Sequence, residues 1–314
     1  MSGKVTIIGS AGRVGSNTAY ALQLGACCSE IVLLDVAAEA AQGEALDLTH
    51  GRAAIMGGPS IEVGGYDAIA GSDIVVITAG LRRRPDESRL HLIERNTALF
   101  RQILSDVREA SLPPDAILLV VTNPVDVLTY VAATELGWEQ HRVIGLGTVL
   151  DTLRFRSVLG KRLGIDPAKV EALILGEHGD SMAPALSLLA YEGVPLPSLA
   201  EYSREAASEA FAATRSAGAE CLRLKGGAGY AVGLAVRQVV MAILQDAGEV
   251  LPVSTLHRSG EFAGVALSLP TRVGRRGVLE VLTPTLSEEE HKGLLRSAEV
   301  LRDTLRSLGG GASA

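Results

Sequence analysis

Lys4-Val-Thr-Ile-Ile-Gly9-Ser-Ala-Gly12-Arg-Val-Gly15 is the stretch that decides the fold of this chain. Its β-branched run Val5 to Ile8 predicts a buried strand and the periodic stretch Val14 to Leu24 a helix, so the glycines fall on the turn between them. Glycine there permits a tight turn and lets backbone N–H groups at a helix start meet a pyrophosphate. The spacing is GxxGxxG, and such a turn can also serve packing alone. Asp35 follows Ile31 to Leu34 at a strand end, where a carboxylate accepts from both ribose hydroxyls and repels a 2′-phosphate. No arginine occupies 36 to 38, so NAD is expected over NADP.

Outward from that turn, short apolar runs alternate with helical patterns: Ile31 to Leu34, Glu39 to Arg52, Ile74 to Thr78, Ile117 to Val121 and Val143 to Leu146. Unbroken apolar runs suit strands buried on both faces, and the alternation predicts an α/β fold. The expected domain is a doubly wound parallel Rossmann sheet of six strands over residues 1–146. Beyond it the pattern shifts to long helices near 150 to 163, 199 to 224 and 228 to 245, with short strands around 250 to 282. This predicts a mixed α+β substrate domain over residues 147–314. Ser287-Glu-Glu-Glu is a capping-box start for a last helix reaching about Ser307.

With 314 residues, 47% of them hydrophobic, the chain can bury a substantial core. Its net charge of −7 argues against a nucleic-acid or anionic-membrane surface, either of which needs a basic field. Cys27, Cys28 and Cys221 lack metal-ligand spacing and cannot all pair, which fits a reducing compartment. The first strand begins at once, leaving no room for a secretory signal, and no run approaches a membrane span. A cytoplasmic location without a metal is expected.

Gly176-Glu177-His178-Gly179-Asp180 sets a histidine between glycines after the apolar run Ala172 to Leu175, exposed at a strand end. Reducing a carbonyl by hydride requires an acid for the developing alkoxide, and histidine gives and takes that proton near neutrality. A carboxylate usually orients it. Asp151 and Arg154 share a helix face one turn apart, offering an orienter and a carboxylate clamp, although such a pair is also an ordinary surface ion pair.

These residues, with Gly43-Glu-Ala-Leu-Asp-Leu-Thr-His50, Thr78-Ala-Gly80, Ser88-Arg89 and Thr122-Asn-Pro124, occur in an order that resembles the lactate and malate dehydrogenase family. The likeness is strongest to NAD-dependent malate dehydrogenases that look like lactate dehydrogenases, and it spans nearly the whole chain. It implies that His178 is the acid and base, Asp151 its partner, and Arg154 the bidentate clamp on the substrate carboxylate. By the same resemblance Asn123 contacts the substrate oxygen and the nicotinamide side, and Arg89 arrives on a closing loop to polarise the carbonyl. Gly9, Gly12, Arg13, Val14, Gly15, Asp35, Asn96, Val121 and Asn123 match cofactor contacts. The Gly43 to His50 helix matches a subunit contact, so a homodimer or homotetramer is implied.

The loop Leu81-Arg82-Arg83-Arg84-Pro85-Asp86-Glu87-Ser88-Arg89 bears on the substrate. Arg83 falls where malate-type members carry an arginine and lactate-type members a glutamine, because oxaloacetate brings a second carboxylate into a closed site. The expectation is therefore a malate dehydrogenase of the tricarboxylic acid cycle. Asp86 and Glu87 depart from that pattern, and Glu87 resembles a lactate-type loop. The alternative is an L-lactate or other 2-hydroxy-acid dehydrogenase. A short-chain reductase needs a tyrosine with lysine four residues on, which none of the six tyrosines has. A silent NAD-binding protein is expected to have lost members of the set His178, Asp151, Arg154 and Arg89, all of which are present.

Overall fold

The computed structural model describes residues 2–82, 84 and 86–309. The first half runs β1 (Lys4–Ile8), α1 (Arg13–Leu24), β2 (Glu30–Leu34), α2 (Ala38–Gly51), β3 (Ser60–Val63), β4 (Ile74–Ile77), α3 (Arg89–Glu109), β5 (Ile117–Val120), α4 (Val125–Glu135) and β6 (Val143–Gly145). These six strands are parallel in the order β3-β2-β1-β4-β5-β6, the doubly wound Rossmann arrangement. Val5 pairs with Ile31 on one side and Ile74 on the other, aligning the C-terminal ends where the glycine turn and Asp35 emerge.

β1, β2, β4 and β5 are apolar on both faces because helices cover both. One core cluster joins Ile7, Leu22, Ile31, Leu33 and Val236; another, on the opposite face, joins Ile77, Phe100, Leu104, Leu118 and Leu128. Complete burial of each such side chain is worth about 1.5–3 kcal/mol. β3 was not singled out from sequence: it lies at the sheet edge, holds Glu62 and has no fully buried residue.

The second half contains α5 (Val149–Leu163), α6 (Arg204–Lys225), α7 (Tyr230–Leu244) and α8 (Glu288–Gly309). Helix α6 starts five residues later than its periodicity suggests, after Pro195 and Pro197, where Ser203 Oγ accepts from Ala206 N–H at 2.9 Å. The capping box at Ser287 is present: Glu290 Oε2 accepts from Ser287 N–H at 2.7 Å, and Ser287 Oγ from Glu290 N–H at 3.3 Å. Strands Ser254–His257 and Val265–Ser268 join β6 antiparallel and extend the first sheet to eight strands. The second half is thereby fastened to the edge nearest the expected site. Among the described residues the three cysteines are free, and no helix is long and apolar enough to cross a membrane.

Candidate active site

The glycine turn is shaped by close approach. Gly9 adopts φ +89°, and a Cβ there would lie 2.4 Å from Ala79 N; a Cβ on Gly15 would lie 2.2 Å from Gly9 O. Helix α1 starts at Gly12 with no side-chain cap and no acid in its first turn, which leaves its first N–H groups for an anion. Asp35 accepts from Ala11 N–H at 3.0 Å and from Ala37 N–H at 2.9 Å, so it is fixed beside the turn while remaining partly open. An uncapped helix start, a crowded glycine cradle and a carboxylate at the next strand end fit a dinucleotide.

From this turn a cleft of about 570 Å³ passes Gly12, Arg13 and Val14, then Thr78, Gly80, Val121 and Asn123, and ends at Asp151, Arg154 and His178. It follows the C-terminal edge of the parallel sheet, where open α/β folds bind ligands. Asn123 precedes Pro124 at the start of α4 and is exposed, with its Oδ1 accepting from Val125 N–H at 3.3 Å. Asn96 is not among the residues bordering the cleft. It is buried and its Oδ1 accepts from Leu81 N–H at 2.7 Å, anchoring the start of the 81–88 loop.

His178 lies between the short strands Ile174–Leu175 and Ala183–Pro184, and its Nδ1 is 2.5 Å from Asp151 Oδ2. Asp151 sits in the first turn of α5, and its other oxygen accepts from Arg154 Nη1 at 3.0 Å. The Asp151 side chain is 1% exposed, those of Arg154 and His178 13% and 19%. Burial raises the Asp151 carboxyl, but the His178 and Arg154 charges outweigh it and hold it below the usual carboxylate range. Burial lowers the His178 imidazole, and here Asp151, with help from Asp126, outweighs burial and raises it. The result is a histidine inclined to carry a proton, its Nδ1 engaged and its Nε2 left for the cleft.

The histidine loop is held from two further sides. Glu177 N–H donates to Ser297 Oγ on α8 at 3.2 Å, and Ser297 donates to Ser181 O at 2.5 Å. On the α4 side, His178 N–H donates to Asp126 Oδ2 at 2.7 Å. Asp126 escaped the sequence reading; its only signal was an acid three residues after Asn123. Arg82 and Arg215 also border the cleft. Arg83 lies outside the described residues, and Arg89 opens α3 without a described side chain. Glu87 is buried in the same loop, with Arg95 Nη1 2.6 Å from its Oε1.

Two family models match the chain. Residues 3–145 match the lactate/malate dehydrogenase NAD binding domain, and residues 148–308 the lactate/malate dehydrogenase alpha/beta C-terminal domain. An L-lactate dehydrogenase of Acetivibrio thermocellus is 41% identical over 314 residues, covering 97% of each chain. One from Clostridium botulinum is 42% identical over 313 residues, covering 98% of this chain and 97% of its own. Among solved structures, a lactate dehydrogenase from a Medee basin deep-sea metagenome library superposes with TM-score 0.93 at 35% identity, covering 98% and 99% of the chains. The minor L-lactate dehydrogenase of Enterococcus mundtii does so with TM-score 0.92 at 34% identity, covering 98% of each.

These relatives overturn the expected malate dehydrogenase and its place in the tricarboxylic acid cycle, because they are lactate dehydrogenases over nearly their whole length. The malate expectation depended on one arginine, Arg83, being enclosed opposite a second carboxylate. A single loop position decides the substrate only through where its guanidinium ends up in the closed site, and sequence spacing does not supply that. NAD is the cofactor.

Proposed function

The chain belongs to the lactate/malate dehydrogenase family, and on that premise we propose that it interconverts L-lactate and pyruvate with NAD. The observation that carries this reading is the His178–Asp151–Arg154 cluster at the end of the cleft. An acid–base group stands beside a carboxylate clamp, which is what reduction of a 2-oxo acid requires. The names of the full-length relatives favour lactate among such acids.

NADH, when bound, supplies the hydride for the carbonyl carbon. Arg154 engages Asp151 through Nη1, which leaves the rest of its planar fork for the substrate carboxylate. This orients the substrate so that the carbonyl oxygen faces His178. The imidazolium, stabilised by Asp151, gives its Nε2 proton to that oxygen as the alkoxide develops. Asp151 keeps its negative charge throughout, acting on tautomer, orientation and proton affinity. Asn123 holds the same oxygen by its side-chain amide, and Arg89 adds its charge when the 81–88 loop closes. In lactate oxidation the neutral imidazole takes the hydroxyl proton instead.

Gly9, Gly12, Arg13, Val14 and Gly15 hold the pyrophosphate, Asp35 the ribose hydroxyls, and the Val121 to Asn123 backbone the nicotinamide side. Asn96 acts on the cofactor through the Leu81 backbone it anchors. The division into a cofactor domain over 1–146 and a substrate domain over 147–314 places His178, Asp151 and Arg154 in the second and their cofactor in the first. Exposed apolar side chains on neighbouring helices, Tyr20 and Leu24 of α1, Leu46 of α2 and Leu234 of α7, support a homo-oligomer. The free cysteines support the cytoplasm. Incubating the purified protein with NADH and pyruvate tests the reading: equimolar L-lactate and NAD are expected, and no L-lactate would refute it.

A further inference from the structure

We infer that Asp126 is a positioning residue for proton transfer: its buried carboxylate holds the His178 main chain, ties it to the Asn123 turn, and adds negative charge behind the imidazole. This rests on the proposed role of His178. Asp126 occupies the first turn of α4, three residues after Asn123, and accepts from His178 N–H at 2.7 Å. One side chain thus links the residue proposed to hold the substrate oxygen to the residue proposed to protonate it.

An amide could accept the same hydrogen bond at lower cost. Asp126 is 3% exposed, and burial pushes its carboxyl up to about 6. Its Oδ1 has no hydrogen-bond partner of good geometry, although the nearby Ser254 hydroxyl favours the ionised form. The cavity behind it receives Leu90 and Ile93 from α3 and Thr304 and Ser307 from α8, and no lysine or arginine among the described residues lines it. Glu177, on the histidine loop, adds repulsion. Among the described residues the cation acting on Asp126 is His178 when protonated. A buried charge with no permanent counter-ion among them is costly, so this site uses the charge as well as the hydrogen bond.

His178 is faced by Asp151 and Arg154 of α5 and by Asp126 of α4, with Glu177 and Asp180 flanking it in its own loop. Asp151 and Asp126 favour the imidazolium, whereas Arg154 opposes it. Removing the Asp126 charge shifts the balance toward the neutral ring.

The test is Asp126→Asn, which keeps size and an acceptor oxygen, with NADH binding and thermal unfolding as checks on folding. The pyruvate-reduction profile should lose its alkaline side at lower pH than wild type, with a roughly tenfold fall in kcat/KM at alkaline pH and little change at acid pH. The His178 imidazole, followed by NMR with labelled histidine, should lose its proton at lower pH. Asp126→Ser carries the same expectation should asparagine not be accommodated. Superimposable pH profiles and histidine titrations in a folded variant would overturn the inference. If the protein reduces no 2-oxo acid, the lactate reading fails by itself, and the histidine titration still decides the role of Asp126.

Discussion

His178 Nδ1 and Asp151 Oδ2 stand 2.5 Å apart although 27 residues separate them in the chain. The contact requires α5 to begin where β6 ends and the histidine loop to fold back over the first turn of that helix. Burial makes it strong: a carboxylate with a 1% exposed side chain interacts with an imidazole through protein rather than water.

Asp151→Asn should lower kcat for pyruvate reduction by a factor on the order of 10²–10⁴ while leaving NADH affinity nearly unchanged. Without that carboxylate the imidazole proton affinity falls, so the alkaline limb of the reduction profile should move to lower pH. Steady-state kinetics across pH, with NADH fluorescence titration, check both parts.

Arg154→Gln removes the proposed carboxylate clamp and a partner of Asp151. Losing one member of a buried charge pair costs about 2–5 kcal/mol, so kcat/KM for pyruvate should fall by a factor of about 30 or more. Because Arg154 disfavours the imidazolium, the alkaline limb should move to higher pH, opposite to Asp151→Asn. Matching shifts in the two variants would contradict the assigned roles.

The Rossmann half was legible because its signals are local: buried parallel strands read as unbroken apolar runs, and Gly9 to Gly15 fixes the first turn. Helices α5, α7 and α8 were visible from periodicity and capping for the same reason. Strand β3 was not, since an edge strand with Glu62 in it lacks the apolar run. The antiparallel extension through Ser254–His257 was hidden because pairing across more than a hundred residues leaves no local trace. His178, Asp151 and Arg154 were selected from residue type and spacing, and the fold brings them together. Asp126 was missed because an acid in a first helical turn is ordinary, and only the tertiary fold puts a histidine N–H against it. Substrate choice was misread for a related reason: Arg83 is informative through the geometry of a closed loop, which residue identity does not contain.

Asp35→Ser should relax cofactor choice. The carboxylate proposed to hold the ribose hydroxyls is also what a 2′-phosphate meets. NADH kcat/KM should fall roughly tenfold and NADPH kcat/KM rise. The loss of the 3.0 Å bond to Ala11 N–H should also lower the melting temperature.

Gly15→Ala places a methyl group 2.2 Å from Gly9 O, inside the proposed pyrophosphate turn. Overpacking of this kind costs about 1–3 kcal/mol. Calorimetry should show a lower melting temperature and a fluorescence titration weaker NADH binding, whereas Gly43→Ala, with nothing within 4 Å, should leave NADH binding unchanged.

Asp126 gives stability a pH dependence whose sign follows from its raised carboxyl. A folded-state value of about 6 against 3.8 means that stability present at pH 4 is lost as pH rises through 6. Wild type should therefore lose stability relative to Asp126→Asn between pH 4 and 7.5, by on the order of 2–3 kcal/mol. Urea midpoints of both proteins at the two pH values measure this, and a difference independent of pH would contradict it.

The cleft ending at His178, Asp151 and Arg154 is proposed to reduce a 2-oxo monocarboxylic acid. The most direct test is NADH oxidation by the purified protein with pyruvate and with oxaloacetate side by side, compared as kcat/KM. The larger value is expected for pyruvate, with L-lactate as product; a larger value for oxaloacetate would refute the assignment.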